Sequence, residues 1–403
     1  MVDDSTYYRR GFGLKGTITP QLTADYHSGV IEALRANQYS LEVGNLTFRL
    51  AREFGFCYGV DRAVEYAYET RTKFPDKRIF LVGEIIHNPH VNHKMVEMGI
   101  TFLHRAGDGE FDFTGVTDAD VVILPAFGVT MRDFQRLRET GCVLVDTTCG
   151  SVLNVWKRVD SYARDGFTAI IHGKHWHEET RATASQVGKY PGGKYLVVLN
   201  DAEAGLVMDF IERGGDAAAL LERFAAAVSP GFDFGRDLER IGFANQTTML
   251  STESLAIAQA FKAAMVRRHG AEGIDERVRT FDTICSATQE RQDAMVVLLD
   301  EPLDVMVVVG GYNSSNTCHL AELSARKGVR TYHIEDADCV DLETGVLRYQ
   351  ATGTKAREES ADWLAGVRRV GITAGASTPN NKIGETITRI CLVAGEDLDS
   401  VLR

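Results

Sequence analysis

Three cysteines stand in short runs of similar character: Gly55-Phe56-Cys57-Tyr58-Gly59, Asp146-Thr147-Thr148-Cys149-Gly150 and Asp282-Thr283-Ile284-Cys285-Ser286. The last two share Asp-Thr-x-Cys. Apolar runs that read as strands precede those two, at 143–145 and 278–281, and stretches that read as helices follow all three. Strand-to-helix turns gather at one end of an α/β sheet, where ligands bind. A helix N-terminus favours the thiolate, the form that binds metal. Three thiolates without a fourth suggest a metal centre with one open position. No Cys-x-x-Cys pair is present, which argues against a structural zinc ribbon. Cys142, Cys318, Cys339 and Cys391 read as small buried hydrophobes.

The densest polar run is His172-Gly173-Lys174-His175-Trp176-His177-Glu178-Glu179-Thr180, directly after the apolar residues 168–171. Neighbouring His and Glu side chains supply a proton relay, one group orienting and the other donating. They could instead hold zinc, although the His-Glu-x-x-His spacing is absent. Asn313-Ser314-Ser315-Asn316-Thr317 and Gly375-Ala376-Ser377-Thr378 each follow an apolar run, and Gln246-Thr247-Thr248 adds a third such turn. Small hydroxyl and amide donors beside backbone N–H groups suit phosphate oxygens. Plain helix capping is the alternative for each turn taken singly. His87-Asn88 adds either a charged donor or a structural histidine. Gly11-Phe12-Gly13-Leu14-Lys15-Gly16 matches the dinucleotide fingerprint formally. The flanks Tyr7-Tyr8-Arg9-Arg10 and Thr17-Ile18-Thr19-Pro20 do not supply the strand and helix it needs, so the match is rejected.

The elements that must position these residues alternate along the chain. Strand-length apolar runs fall at 79–82, 121–124, 143–145, 168–171, 196–199, 305–309, 329–334 and 370–373. Helical stripes follow Cys57 (Val60, Ala63, Val64, Ala67, Tyr68) and Cys149 (Val152, Val155, Trp156, Val159). The reading is α/β with parallel sheets. The cysteine spacing divides the chain into an N-terminal extension over 1–47 and three similar α/β domains over 48–150, 151–285 and 286–403. A helix is expected within 22–37. Residues 201–235, rich in Ala, Asp, Glu and Gly, read as a peripheral helical insertion.

Composition bounds the function. The chain has 403 residues, enough for two to four domains, with 44% hydrophobic and 25% charged content. A formal net charge of −12 argues against binding a nucleic-acid backbone. Seven cysteines in a long chain without a secretory leader indicate a reducing compartment. No apolar run is long enough to span a membrane. The acidic start, Met1-Val2-Asp3-Asp4, is unlike a transit peptide, so a cytoplasmic location is expected.

Taken in order, these motifs resemble the LytB-type 4-hydroxy-3-methylbut-2-enyl diphosphate reductase family, from about Phe48 to Leu392. The resemblance rests on Gly55-Phe56-Cys57, His87-Asn88, Asp146-x-x-Cys149, His177-x-Glu179-x-x-x-Thr183, Gln246-Thr247-Thr248, Asp282-Thr283-Ile284-Cys285, Asn313-Ser314-Ser315-Asn316 and Ala374-Gly375-Ala376-Ser377. It implies three α/β domains in pseudo-threefold arrangement around a 4Fe–4S cluster held by Cys57, Cys149 and Cys285, with one iron open to the substrate hydroxyl. It implies reductive dehydroxylation of the allylic diphosphate to isopentenyl and dimethylallyl diphosphates, the last step of the non-mevalonate route. Glu179 would deliver protons, with Thr247 and His177 organising the hydroxymethyl end. Substrate contacts would come from His87, His177, Gln246, Thr247, Asn313, Ser314, Ser315, Asn316 and Ser377, the diphosphate falling to His87, Ser314, Ser315, Asn316 and Ser377. A ferredoxin or flavodoxin-type protein would donate electrons.

One position departs from the family pattern. Where many members carry a histidine, this chain reads Pro125-Ala126-Phe127-Gly128, and phenylalanine cannot donate a hydrogen bond to phosphate. His90, His93 and Lys174 are the candidates to compensate. The Phe form and the N-terminal extension resemble the photosynthetic branch of the family, for which ferredoxin is the expected donor. Two other readings compete: a zinc hydrolase using Cys149 with the run from His172 to Glu179, and a non-catalytic iron–sulfur sensor.

Overall fold

Ile79–Val82, Val121–Leu124 and Val305–Val309 are buried at every position. Such continuous apolar runs mark strands covered on both faces by helices. The computed structural model describes residues 6–107 and 109–402. In chain order the first elements are β1 (Tyr7–Tyr8), α1 (Lys15–Tyr26), α2 (Gly29–Ala36), β2 (Ser40–Val43), β3 (Leu46–Leu50), α3 (Tyr58–Lys73), β4 (Ile79–Val82), α4 (Pro89–Glu97) and β5 (Ile100–Leu103). There follow β6 (Val121–Leu124), α5 (Met131–Thr140), β7 (Val143–Asp146), α6 (Gly150–Arg164), β8 (Thr168–His172), α7 (Glu178–Ala184), β9 (Tyr195–Val198), α8 (Asp201–Arg213), α9 (Ala217–Arg223), β10 (Ile241–Asn245) and α10 (Ser251–His269). The last are β11 (Val278–Thr280), α11 (Ser286–Leu299), β12 (Val305–Val309), α12 (Ser315–Arg326), β13 (Thr331–Ile334), β14 (Leu347–Gln350), β15 (Arg357–Ser360), β16 (Arg369–Ala374) and α13 (Asn380–Ala394).

The chain is α/β throughout and groups into two compact units. One comprises the chain up to Arg9 with Leu103–Cys285 and carries Cys149 and Cys285; the other comprises Arg10–Phe102 with Ser286–Arg403 and carries Cys57. In the Cys149–Cys285 unit, β1, β7 and β6 pair in parallel, and a parallel four-stranded sheet runs β11-β10-β8-β9. In the Cys57 unit a seven-stranded sheet runs β15-β14-β13-β12-β16-β3-β2, parallel through β13, β12, β16 and β3 and antiparallel at both edges. Residues 40–50 therefore pair as β2 and β3 with the strands of the C-terminal third.

Two expectations need correction. The stretch 201–235 is not peripheral. Ala204, Val207 and Ile211 of α8, with Phe224, Ala227, Phe232 and Phe234 beyond it, belong to the buried core around β8, β9 and β10. Asp201, Asp209, Asp216 and Glu222 are exposed with Ala202, Ala218 and Ala219, while Phe224, Phe232 and Phe234 are buried. The single helix expected within 22–37 is two helices, α1 and α2, separated by His27 and Ser28, and Ser28 Oγ caps α2 by accepting from the Ile31 N–H.

The rejected glycine fingerprint has a structural use. The Phe12 and Leu14 N–H groups donate to the carboxylate of Glu69, a buried residue of α3. A side chain at Gly11 would collide with that carboxylate. The turn binds an internal carboxylate where a dinucleotide site would bind phosphate.

Candidate active-site constellations

The two Asp-Thr-x-Cys runs fold alike. Asp146 Oδ1 accepts from the Thr148 N–H at 3.0 Å, and Asp282 Oδ1 accepts from the Ile284 N–H at 3.0 Å. Both are turns in which the aspartate binds the backbone two residues on. The threonine then ties the turn to the neighbouring strand. Thr147 Oγ1 donates to Leu124 O at 2.7 Å, and Thr283 Oγ1 accepts from the Asn245 N–H at 2.7 Å. The aspartate at 146 also accepts from the Tyr7 hydroxyl at 2.5 Å.

A further regularity extends to all three cysteines. Each cysteine N–H donates to the carbonyl of the second residue beyond the adjacent parallel strand. Cys149 reaches Ala126 O, past β6, at 2.8 Å; Cys285 reaches Thr247 O, past β10, at 3.3 Å; Cys57 reaches Ala376 O, past β16, at 3.2 Å. Cys57 and Cys149 occupy the N-cap positions of α3 and α6 with extended backbone, and α11 begins directly after Cys285. The thiols are thus presented at helix N-termini, where the helix dipole favours negative charge. None of the seven cysteines is in a disulfide, and all three of these are partly exposed. Cys142 and Cys391 are buried, as expected, whereas Cys318 and Cys339 are only partly so and lie against Tyr312.

In the Cys149–Cys285 unit the proton-handling residues come together. Glu179, in the first turn of α7, is 3% exposed. Its Oε1 accepts from the Thr247 N–H at 2.5 Å and its Oε2 from the Thr247 hydroxyl at 3.0 Å. His177 caps α7, its Nδ1 accepting from the Glu179 N–H at 3.2 Å. That bond assigns Nδ1 as the acceptor, so a neutral ring carries its proton on Nε2. Gln246 uses both ends of its amide within the unit: Oε1 accepts from the Lys174 N–H and the Thr180 hydroxyl, and Nε2 donates to Thr248 Oγ1. It locks the loop at 173–180 to the turn that carries Thr247. Phe127 is buried, its ring 6.4 Å from that of His177.

The rest of the polar run does not join this group. His172 is fully buried with Nδ1 2.7 Å from Ser254 Oγ, and His175 packs edge-on against Trp176. Among the described residues Cys149 forms no metal-ligand group with the histidines and glutamates from His172 to Glu179. The zinc-hydrolase reading therefore lacks its constellation.

In the Cys57 unit three turns converge. His87, beyond β4, has Nδ1 2.8 Å from Glu84 Oε2, which orients the ring. Its carbonyl accepts from Ser377 Oγ at 3.2 Å and lies against Gly311. Asn316 Oδ1 accepts from the Ala376 N–H at 2.9 Å, joining the turn beyond β12 to the turn beyond β16. Ser314 caps α12, so the backbone N–H groups of its first turn lie beside Ser314, Ser315 and Asn316. Asn313 is exposed at the same turn. Asn316 is 2% exposed, yet its Nδ2 has no hydrogen-bond partner among the described residues. A buried donor of this kind calls for an acceptor. Of the three candidates to stand in for the missing histidine, His90 packs on Tyr26, His93 faces Glu97 at 3.3 Å, and Lys174 lies in the other unit, where its N–H donates to Gln246 Oε1.

Sequence reasoning missed Arg291 and Tyr26. Arg291 reads as an ordinary helix-surface charge and is buried. Tyr26, also buried, packs against Phe56 and hydrogen-bonds with Tyr68 of α3. Its position in a segment of mixed polarity carried no signal.

Thiols at helix N-termini, a buried carboxylate–hydroxyl pair and a donor-lined turn cluster, each at the ends of parallel strands, mark an α/β protein of the enzyme class. The LytB protein family matches residues 48–391, and the chain belongs to that family. The 4-hydroxy-3-methylbut-2-enyl diphosphate reductase of Parasynechococcus marenigrum (strain WH8102) is 48% identical over 388 residues, covering 96% of each chain. A solved structure of (E)-4-hydroxy-3-methyl-but-2-enyl diphosphate reductase, described as the terminal enzyme of the non-mevalonate pathway, matches with a TM-score of 0.51 at 27% identity, covering 85% of this chain and 98% of that one. The Plasmodium falciparum E-1-hydroxy-2-methyl-but-2-enyl-4-diphosphate reductase shares the fold, with a TM-score of 0.64 at 20% identity over 85% of this chain and 87% of that one.

Proposed function

We propose that this chain reductively removes the hydroxyl of 4-hydroxy-3-methylbut-2-enyl diphosphate, giving isopentenyl and dimethylallyl diphosphates, the last step of the non-mevalonate pathway. The reaction breaks an allylic C–O bond and consumes two electrons and two protons; one proton leaves in water and the other joins carbon. Family membership supports the chemistry. The observation that carries the assignment of roles is Glu179, a buried carboxylate that receives both polar hydrogens of Thr247.

Cys57, Cys149 and Cys285 would hold a 4Fe–4S cluster. Three soft thiolate donors fit such a group, and each is presented by the same backbone bond. When bound, the cluster would supply the electrons and a Lewis-acidic iron for the departing oxygen. The chain's own residues do the rest. Glu179 delivers the proton that leaves with the hydroxyl. Thr247 fixes that carboxylate and offers its hydroxyl oxygen to the hydroxymethyl end. His177, with Nδ1 tied to the helix backbone, presents Nε2 to the same end. Gln246 holds the turn beneath them.

The diphosphate falls to the converging turns of the other unit: His87, Asn313, Ser314, Ser315, Asn316 and Ser377. The buried Nδ2 of Asn316 supports this, because a phosphate oxygen would satisfy it. The division into α/β domains over 48–150, 151–285 and 286–403, behind an N-terminal segment over 1–47, belongs to the same proposal. So do a ferredoxin or flavodoxin-type electron donor and a cytoplasmic location. Among the described residues no helix is long and apolar enough to cross a membrane.

The test is E179Q, prepared anaerobically beside the wild type. The variant should keep its iron and its visible spectrum and lose turnover by roughly 10²- to 10⁴-fold, the usual worth of a positioned general acid. Full activity would remove Glu179 from the proton path.

A further inference from the structure

Arg291 lies in the middle of α11 and is 3% exposed. Its Nη1 donates to Ala287 O, one turn back, at 2.8 Å, and its Nη2 donates to Gly55 O at 2.7 Å. Nε has no hydrogen-bond partner among the described residues. No carboxylate stands within ion-pair distance of the guanidinium among those residues; its charge reaches Asp61, on the first turn of α3, without an ion pair. A positive charge is thus buried with two carbonyl oxygens as its hydrogen-bond partners and, among the described residues, no ion-paired carboxylate. Hydrogen bonds satisfy two of its donors but do not neutralise it, and buried charges are ordinarily paired.

The place of this charge is specific. Gly55 O belongs to the turn that delivers Cys57. Gly55 has φ +69°, and a Cβ there would stand 3.0 Å from Asn380 Oδ1 and 3.3 Å from Thr378 O, so the turn is closely walled. Phe56 packs on Tyr26, and the Cys57 N–H is held by Ala376 O. The guanidinium lies against the third point of this support. We propose that Arg291 is a positioning residue whose buried charge is the counter-charge of the metal–thiolate centre at Cys57. Its directly paired negative partner would arrive when the thiolates and their metal group assemble. Arg291 then steadies the Cys57 turn through Gly55 and, as a nearby positive charge, favours the more negative, reduced form of the centre. This rests on the reading of Cys57 as a cluster ligand.

The test separates charge from mere packing. Wild type, R291M, R291Q and R291K are melted anaerobically as apo-protein and after iron–sulfur reconstitution, and the midpoint potential of each loaded protein is measured by EPR-monitored titration. Apo R291M should melt at or above the wild-type temperature, because it no longer buries an unpaired charge. Its gain in melting temperature on reconstitution should be smaller than that of the wild type, and reduced iron uptake by folded R291M counts the same way. Loaded R291Q, which keeps amide donors without charge, should have a more negative midpoint potential, and R291K should lie close to the wild type. An apo R291M that melts well below the wild type or fails to fold would overturn the inference and leave a structural tie. So would an unchanged potential in R291Q. If the wild type itself takes up no iron, the reading of the centre falls, and this inference with it. Equal gains in R291M and an iron-loaded wild type would overturn this inference alone.

Discussion

Glu179 and Thr247 form a pair in which one carboxylate receives two hydrogens from a single residue, one from its backbone and one from its side chain. The backbone bond survives any substitution at 247; the hydroxyl bond does not. T247V, nearly the same shape, should keep Glu179 in place and lose only the hydroxyl's part. A hydrogen bond to a charged group contributes about 1.5–3 kcal/mol, so turnover should fall by roughly 10- to 100-fold. T247S should stay near the wild type. Single-turnover kinetics with diphosphate affinity measured alongside would check this. T247V with wild-type turnover would reduce the hydroxyl to a packing element. Because the diphosphate contacts are assigned to other turns, KM should change much less than kcat.

The turn beyond β12 hangs from a histidine in the neighbouring strand. His333 of β13 is 1% exposed, and its Nε2 lies 2.9 Å from Gly310 O, at the root of the turn carrying Ser314 and Asn316. Burial pushes its pKa down to about 4, against the opposing pull of that carbonyl. Below the ordinary value near 6.5, the unfolded chain takes up a proton that the folded chain resists. Stability should therefore fall as pH drops from about 6.5 to about 4, by on the order of 3 kcal/mol in total at this one residue. H333Q keeps a donor for Gly310 and does not titrate there. Urea unfolding at pH 7, 6 and 5 should show a steeper loss in the wild type than in H333Q; parallel losses would exclude the histidine. At this scale the sequence was readable wherever burial is two-sided. The apolar runs of β4, β6 and β12 gave those strands at their observed bounds. β10 was not singled out, because Gly242 and Asn245 interrupt an apolar reading, yet it is buried at every position. Gly242 is required there because a Cβ would meet the Tyr162 ring, a tertiary fact with no local trace. Arg291 and Glu69 were illegible for a related reason: helical charges read as solvated until the element facing them is known.

Across the whole chain, the proposed assignment divides the cysteines by use. C57S, C149S and C285S should each lower the iron content of anaerobically purified protein from about four per chain, while C318S and C339S should not; equal losses in both sets, by metal analysis, would refute the ligand assignment. The order of the motifs made the family legible from Phe48 onward, but each motif's neighbours lie far away in sequence. Gln246 and Lys174, or Asn316 and Ala376, meet only because parallel strands bring successive turns to the same sheet edge. The amide bond shared by the three cysteines has its own consequence. Main chain, not side chain, sets how far each sulfur stands from its sheet, so the accepting residue can change identity without moving the ligand. Two of the three acceptors, Ala126 and Ala376, carry only a methyl group, and the third, Thr247, carries a hydroxyl. On the proposed assignment the three turns, alike as backbone, differ in what the accepting residue adds: Thr247 brings a hydroxyl that donates to Glu179, and Ala126 and Ala376 bring none.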